Sequence, residues 1–164
     1  MTIKRILVPV DFSADSLGAL QYAGEFAKTF KAELLVLYVV EPIYYATPTD
    51  MYAASAESAI LSEEQRRGAA EQLTRLGADL KKKGLRFRTM VKDGSASRVI
   101  VETAQTAAAD LIIMATHGRT GLAHMFMGSV AEKVVRSATC PVLTTRRGGR
   151  HPAPPKRGRT AKAK

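Results

Sequence analysis

The segment 115–129 combines three glycines, two histidines and an arginine directly after an apolar run. Gly118 lets backbone N–H groups approach an anion without obstruction by a side chain. Gly128 and Ser129 begin a helical pattern, where the first N–H groups and the positive end of the helix dipole favour negative charge. Ser129 adds a hydroxyl group and Arg119 a fork of cationic donors. These residue types predict a phosphate site.

Plainer interpretations of the same segment remain open. Glycines after a strand often only make a turn, and a Gly-Ser pair often only caps a helix. His117 and His124 are interpreted as solvated or packed residues, because no nearby carboxylate or thiol completes a metal site. The two commonest nucleotide motifs, G-x-x-x-x-G-K-[ST] and G-x-G-x-x-G after the first strand, are absent. A Ser129–His117–Asp11 triad lacks a nucleophile elbow and is not favoured.

Alternating apolar runs and amphipathic patterns must position this segment. The strand patterns cover 4–10, 32–40, 86–92, 110–114 and 140–145. The first helical pattern follows an N-cap at Ser13 and repeats apolar residues from Leu17 to Phe30. The others cover 55–83, with Gly84 as C-cap, then 99–108 and 128–138. Pro42, Pro48 and the tyrosines 44, 45 and 52 predict a long loop that could close as a lid. This rhythm predicts an α/β fold with a parallel sheet and helices on both faces.

Ligands of open α/β sheets bind at the carboxyl ends of the strands, where the strand order reverses. Three predicted strands end in candidate site residues: Pro9, Val10 and Asp11 after the first, Val39 at the end of the second, and the segment 115–129 after the fourth. The carboxylate of Asp11 is suited to a ribose hydroxyl group or an adenine edge. The strand ends therefore predict a place for a ribose or an adenine beside the predicted phosphate site.

Length and composition agree with one globular domain. The chain has 164 residues, of which 46% are hydrophobic and 24% charged. No stretch approaches the roughly 18–20 apolar residues of a membrane span, so no membrane partner is expected. Cys140 is the only cysteine, interpreted as a small buried hydrophobe, and the N-terminus lacks the apolar core of a secretory signal. We therefore expect a cytoplasmic protein.

The net charge of +10 is concentrated at the C-terminus. Residues 146–164 carry eight basic and no acidic side chains, which leaves residues 1–145 with 17 basic and 15 acidic side chains. The composition predicts that 147–164 is a disordered tail. It is interpreted as a solvated segment, with weak, sequence-independent contact to nucleic acid as the alternative.

The order of these motifs resembles the universal stress protein family over residues 1–146. The resemblance is carried by ILVPVDFSADSLGAL, LLVLYVV, VKDGSASRVIVETA and ADLIIMATHGRTGLAHMFMGSVAEKVVRSATCPVL. It implies a three-layer, doubly wound, five-stranded parallel sheet of order 3-2-1-4-5, of the adenine nucleotide alpha hydrolase-like type. It also implies a homodimer formed through the last strand, in agreement with an apolar edge strand PVLTT.

The ATP-binding branch of that family carries G-x2-G-x9-G-[ST]. This chain matches it at Gly118, Gly128 and Ser129, and departs from it at Ala115, where the first glycine is replaced. The resemblance implies that Pro9, Asp11 and Val39 line the adenine and ribose, and that the ribose and phosphates are held by Met114, Ala115, Gly118, Gly128, Ser129 and Val130.

The leading hypothesis is a stress-response regulator that binds ATP, with or without Mg²⁺, and hydrolyses it slowly or not at all. No general base for fast hydrolysis is evident in the sequence. The alternative hypothesis is a dimeric interaction module that binds no nucleotide, which Ala115 favours.

Overall fold

The structure, a computed structural model, describes residues 2–41, 51–117 and 128–146, with 51–59 described by their backbone alone. Gly118, Arg119, Gly121, His124, most of the predicted lid and the basic tail lie outside these ranges. The described chain alternates strands and helices in the order β1 Arg5–Pro9, α1 Ala14–Phe30, β2 Glu33–Val40, α2 Met51–Lys82, β3 Arg86–Asp93, α3 Ala96–Thr106, β4 Leu111–Ala115, α4 Ser129–Ser137 and β5 Val142–Thr145.

The five strands form one parallel sheet in the order β3-β2-β1-β4-β5, which confirms the predicted fold class. The chain builds β1, β2 and β3 towards one side and then returns to place β4 and β5 on the other. The order therefore reverses between β1 and β4, where Ile6 pairs with Leu111 and Leu7 with Ile112. A crevice at the carboxyl ends of these two strands is the expected ligand position in such a sheet.

Apolar side chains are buried on both faces of the sheet. Ile6 and Val8 of β1 pack beneath α1 and α2, while Leu7 between them packs against α3 and α4. The same alternation runs through β2 and β4, whose central residues are fully or almost fully buried. Strands buried on both faces carry continuous apolar runs, and this explains why the central strands could be predicted from the sequence.

Helix ends follow local side-chain chemistry where the sequence carries it. The hydroxyl of Ser13 accepts the N–H of Ser16, which confirms the predicted N-cap of α1. Gly84 has φ +69° and donates to Lys81 O, while Leu85 donates to Leu80 O. These two bonds form a Schellman motif and confirm the predicted C-cap of α2.

Two helices begin earlier than the sequence predicted. α2 begins at Met51 and includes Tyr52, which the sequence pattern places in the loop, because Met51 to Ala54 are mostly good helix formers. α3 begins at Ala96 rather than Val99, because the carboxylate of Glu41 accepts the N–H of Ala96 at 2.8 Å. A distant side chain therefore supplies the first cap of α3.

Candidate functional site

A cavity of about 410 Å³ lies at the carboxyl edge of the sheet, over the ends of β1, β2 and β4. Its volume falls within the roughly 300–1,000 Å³ of small-molecule sites in proteins. The helices α1, α3 and α4 direct their N-termini towards it through Ser16, Ala96 and Ser129. The reversal in strand order and three helix N-termini thus meet at one cavity.

The floor of the cavity comes from the ends of β1 and β4. β1 ends at Pro9 and the chain continues into Val10 and Asp11. β4 ends with Met114 and Ala115, which are at most 9% exposed. The N–H of Val10 donates to Leu37 O at 2.8 Å and so continues the ladder one residue past β1. The backbone beneath the cavity is therefore held by the sheet.

Asp11 is placed by a tight turn rather than by a strand. Its Oδ1 accepts the N–H of Ser13 at 3.0 Å, and its own N–H donates to Ser16 Oγ at 3.3 Å. The next residue, Phe12, has φ +63°, an uncommon conformation for a residue with a side chain. The ring of Phe12 stacks on Tyr38 with centroids 5.1 Å apart, which stabilises the turn.

Two of the three helix N-termini already contact carboxylates of the chain. Asp11 accepts the N–H of Ser13 at the start of α1. Glu41 accepts the N–H of Ala96 at the start of α3. A second anion at either terminus would meet a negative charge, so these two positions disfavour phosphate.

The third terminus, that of α4, lacks such a partner within the described ranges. Its N-cap is Gly128, which has no side chain, and the first intrahelical bond is Glu132 N–H to Gly128 O at 3.0 Å. The N–H groups of Ser129, Val130 and Ala131 therefore have no acceptor among the described residues. All three residues line the cavity, which gives it three convergent donors at the positive end of a helix dipole.

Gly128 itself contributes space rather than a donor. Its N–H donates to Thr116 O at 2.8 Å, so this amide is not among the donors that the sequence had grouped around residue 128. Its φ of −59° is open to any residue. A Cβ there would lie 3.0 Å from Thr116 O, tighter than ordinary contact. Glycine avoids this close contact at the point where α4 begins against the end of β4.

Thr116 and His117 add polar groups beside the α4 N-terminus. Thr116 donates its N–H to Thr145 O at 2.9 Å, and its Oγ1 lies 2.9 Å from His117 Nδ1. His117 Nε2 is buried and has no hydrogen-bond partner among the described residues. The described ranges also hold no group of three His, Cys, Asp or Glu side chains arranged for a metal ion.

Nine of the eleven residues predicted for the site line this cavity: Pro9, Val10, Asp11, Val39, Met114, Ala115, Gly128, Ser129 and Val130. The other two, Gly118 and Arg119, lie outside the described residues. Whether any of the eleven contacts a ligand stays a prediction.

Sequence reasoning missed the wall formed by β2, α2 and α3. Glu41, Gln65, Ala96 and Ile100 line the cavity there, as do Leu37 and Tyr38 beneath them. Glu41 carried a usable signal, since it directly follows β2. Gln65 carried none, because it reaches the cavity only through the way α2 packs on the sheet.

No helix in the described part of the chain is long and apolar enough to cross a membrane.

Comparisons with known proteins agree with this architecture. The universal stress protein MJ0531 of Methanocaldococcus jannaschii is 35% identical over 144 residues, covering 88% of this chain and 82% of that protein. The structure of the universal stress protein UspA of Lactobacillus plantarum matches with a TM-score of 0.80 and 26% identity, covering 89% of this chain and 99% of that one.

A third match shows the fold alone. It is a universal stress protein of Archaeoglobus fulgidus solved in complex with dAMP, with a TM-score of 0.55 and 20% identity, covering 88% of this chain and 98% of that one.

The sequence model of the universal stress protein family matches residues 2–146. The parallel sheet, its strand order and this match agree, and the chain belongs to the universal stress protein family.

Proposed function

We propose that the cavity binds ATP or a related adenine nucleotide and that the protein acts as a nucleotide-dependent regulator of the stress response. The phosphates contact the N–H groups at the start of α4, and the ribose and adenine lie towards Asp11, Pro9 and Val39. The proposed contact residues are Pro9, Val10, Asp11, Val39, Met114, Ala115, Gly118, Arg119, Gly128, Ser129 and Val130.

One observation supports this proposal more than any other. Of the three helix N-termini at the cavity, those of α1 and α3 contact carboxylates, whereas the N–H groups of Ser129, Val130 and Ala131 at α4 have no described acceptor. The cavity therefore has one end suited to an anion and one end, near Asp11 and Glu41, suited to hydroxyl and amino groups. A nucleotide likewise has an anionic end, its phosphates, and an end with hydroxyl and amino groups, its ribose and base. We name an adenine base because a universal stress protein that shares this fold was solved with dAMP.

Mg²⁺ would enter with the nucleotide rather than through a protein site. The described residues offer no cluster of three metal-ligating side chains. Phosphate oxygens and water supply most ligands of Mg²⁺ in nucleotide sites. We therefore expect the metal ion to be held mainly by the nucleotide.

We propose that the protein is not an efficient enzyme and hydrolyses ATP slowly at most. The carboxylate of Glu41 accepts the N–H of Ala96 at the cap of α3, and Asp11 accepts the N–H of Ser13. Both carboxylates are thus oriented as caps of α1 and α3, and this structural role is the one that we assign to them. Binding, rather than turnover, is the signal.

A second candidate function is a dimeric interaction module that binds no nucleotide. Ala115 favours it, because its methyl group stands on the cavity floor where the family motif has glycine, and the residue is only 9% exposed. A ribose or phosphate group would have to accommodate that methyl group.

The proposed functional unit spans residues 1–146 and is followed by the basic tail 147–164, in a protein that we propose to be cytoplasmic. The family match to residues 2–146 supports this boundary. The sequence beyond 146 has basic but no acidic side chains and few apolar ones, which supports a tail with no core of its own.

Equilibrium dialysis with radiolabelled ATP, AMP and GTP tests the proposal. We expect saturable binding of the adenine nucleotides and weaker binding of GTP. Mass spectrometry of small molecules released from freshly purified, denatured protein identifies the natural ligand. No binding at millimolar nucleotide, together with no released nucleotide, would favour the interaction module instead.

A further inference from the structure

A strongly basic surface lies at the opposite end of the sheet from the cavity. We call it the basic edge and define it by seven exposed residues at the amino ends of β1 and β3 and the C-termini of α1 and α2: Lys4, Arg5, Lys31, Lys81, Lys82, Lys83 and Arg86. Because all strands are parallel, this edge is separated from the cavity by the length of the strands.

The backbone holds these residues side by side. Arg5 and Arg86 each pair in register with Glu33, so the two arginines lie two strand spacings of about 4.8 Å apart, and the Glu33 carboxylate between them accepts from Arg88. The guanidinium of Arg86 donates to Lys31 O. The Schellman turn at Gly84 joins Lys81, Lys82 and Lys83 directly to β3. The seven cations thus form one surface.

Little negative charge compensates this surface. Only Lys82 has an ion pair with a described carboxylate, a 3.5 Å contact with Asp79. Arg5 and Arg86 donate to backbone carbonyl groups. The remaining members have no ion pair within the described ranges. The carboxylate of Asp110 accepts the N–H groups of Lys4 and Arg5.

The charge is unevenly divided over the folded part of the chain. Seven cations against the carboxylates of Glu33, Asp79 and Asp110 give the basic edge a net charge of +4. The other residues up to 145 hold ten cations and twelve carboxylates, a net charge of −2. Cations at a helix C-terminus complement the dipole, which accounts for Lys81 and Lys82. It does not account for Lys4, Arg5 and Arg86, which begin strands.

An exposed aromatic ring adjoins this surface. Phe30 is the last residue of α1, directly before Lys31, and is 44% exposed. Its ring contacts Phe26 at a centroid distance of 6.0 Å. Cations that contact phosphates, next to an aromatic ring on which a base can stack, are the two parts of a single-strand binding surface.

We propose that the basic edge binds single-stranded nucleic acid, with its lysines on the phosphates and Phe30 stacked on a base. This surface does not overlap the cavity, so the proposal stands independently of nucleotide binding. The basic tail adds sequence-independent attraction for nucleic acid, but it follows β5, which ends at the carboxyl edge of the sheet, away from the basic edge.

Fluorescence anisotropy of a labelled oligouridylate with the full chain tests this proposal. The test variant changes the four edge lysines without ion pairs to glutamine: Lys4, Lys31, Lys81 and Lys83. The control variant removes the same charge elsewhere, at Arg67, Lys92, Arg98 and Lys133. Both variants keep the tail. Circular dichroism and thermal unfolding establish that both are folded.

We expect the edge variant to bind the oligouridylate about tenfold or more weakly at low salt, because it has lost phosphate contacts. Each lost contact should also lower the slope of log affinity against log salt concentration by about 0.7. The control variant should retain the slope. Phe30→Leu should weaken binding of the single strand by about fivefold or more and leave binding of a duplex unchanged.

Three results would overturn the proposal. Equal binding by the edge and control variants would assign the interaction to the tail. An unchanged affinity of Phe30→Leu, with equal preference for duplex and single strand, would remove the stacking contact. Lysine-dependent sedimentation with phosphatidylserine vesicles, without binding of the oligouridylate, would identify a membrane surface as the partner.

Discussion

Gly128 shapes the cavity through the atoms that it lacks. A Cβ at this position would lie 3.0 Å from Thr116 O, so with alanine that carbonyl group has to shift by a few tenths of an ångström. Because overpacking costs about 1–3 kcal/mol, we expect Gly128→Ala to raise the Kd for ATP by about tenfold or more. Isothermal titration calorimetry measures this change.

Gly18→Ala is the matched control, because a Cβ at Gly18 meets nothing within 4 Å. It should retain wild-type affinity and a wild-type or slightly higher Tm, since alanine favours a helix. If Gly128→Ala bound ATP as tightly as Gly18→Ala, the phosphates would not lie at the start of α4.

Cys140 is a half-buried thiol two residues before β5 whose environment suppresses its reactivity. Burial raises its pKa above the ordinary value, and the Asp110 carboxylate raises it further, while a backbone hydrogen bond lowers it. The thiolate is the nucleophile, so alkylation by iodoacetamide at neutral pH should be slower in the folded protein than in urea. Equal rates in both states would contradict this environment.

The same shift makes stability depend on alkaline pH. A thiol whose pKa is higher in the folded state keeps its proton longer there, so the folded state loses stability as pH rises from the unfolded value through the folded one. We expect the free energy of unfolding to fall more steeply above about pH 9 in the wild type than in Cys140→Ala. Urea titrations of both proteins at several pH values give the two slopes, and parallel slopes would contradict the prediction.

At the scale of elements, α3 depends on a cap that comes from the residue after β2. The carboxylate of Glu41 accepts Ala96 N–H at 2.8 Å, whereas Ser95, at the N-cap position itself, makes no side-chain cap bond. Loss of a helix cap costs about 0.5–2 kcal/mol. Glu41→Ala should therefore lower the free energy of unfolding by about 1 kcal/mol. Chemical denaturation measures the change.

Ser95→Ala serves as the control for this cap and should leave stability nearly unchanged. Ser13→Ala is the positive reference, because the Ser13 hydroxyl does accept the N–H of Ser16 at 3.2 Å. The expected order is a loss of stability for Glu41→Ala and Ser13→Ala but not for Ser95→Ala. A larger effect of Ser95→Ala than of Glu41→Ala would show that α3 is capped locally.

These helix starts also show what the sequence can and cannot predict. The strands were predictable because burial on both faces leaves continuous apolar runs, and the cap at Ser13 because its partner is three residues away. The start of α3 was not, because its cap is 55 residues distant in sequence. The strand order came only from the family resemblance. The cavity floor followed from the strand ends, whereas Gln65 depends on how α2 packs.

At the scale of the whole molecule, the parallel sheet places the cavity and the basic edge at opposite ends of its strands. Helix N-termini gather at the carboxyl edge, where the cavity lies, and the C-termini of α1 and α2 lie at the amino edge with the seven cations of the basic edge. The two ligands that we propose would therefore not compete for space. Nucleotide in the cavity and single-stranded nucleic acid at the basic edge should bind independently unless α1 or α2 shifts between them.

Assembly through β5 is the remaining prediction for the whole molecule. β5 lies at one edge of the sheet, and its residues are only partly buried. Pro141 O accepts Ile112 N–H at 3.0 Å, and Thr145 O accepts Thr116 N–H at 2.9 Å, so the odd-numbered residues face β4. Because backbone groups alternate along a strand, those of Val142 and Thr144 face the open edge, where a second copy can pair.

Thr144→Pro removes an N–H from that open edge without removing a bond to β4, and proline is tolerated in edge strands. We expect the wild type to be a dimer of the 17.7 kDa chain and Thr144→Pro to be a folded monomer by size-exclusion chromatography with light scattering. Thr144→Val keeps the N–H and should remain a dimer. A wild-type monomer at micromolar concentration would contradict dimerisation. A Thr144→Pro variant that still dimerises would place the interface elsewhere, because pairing of edge strands requires those backbone donors.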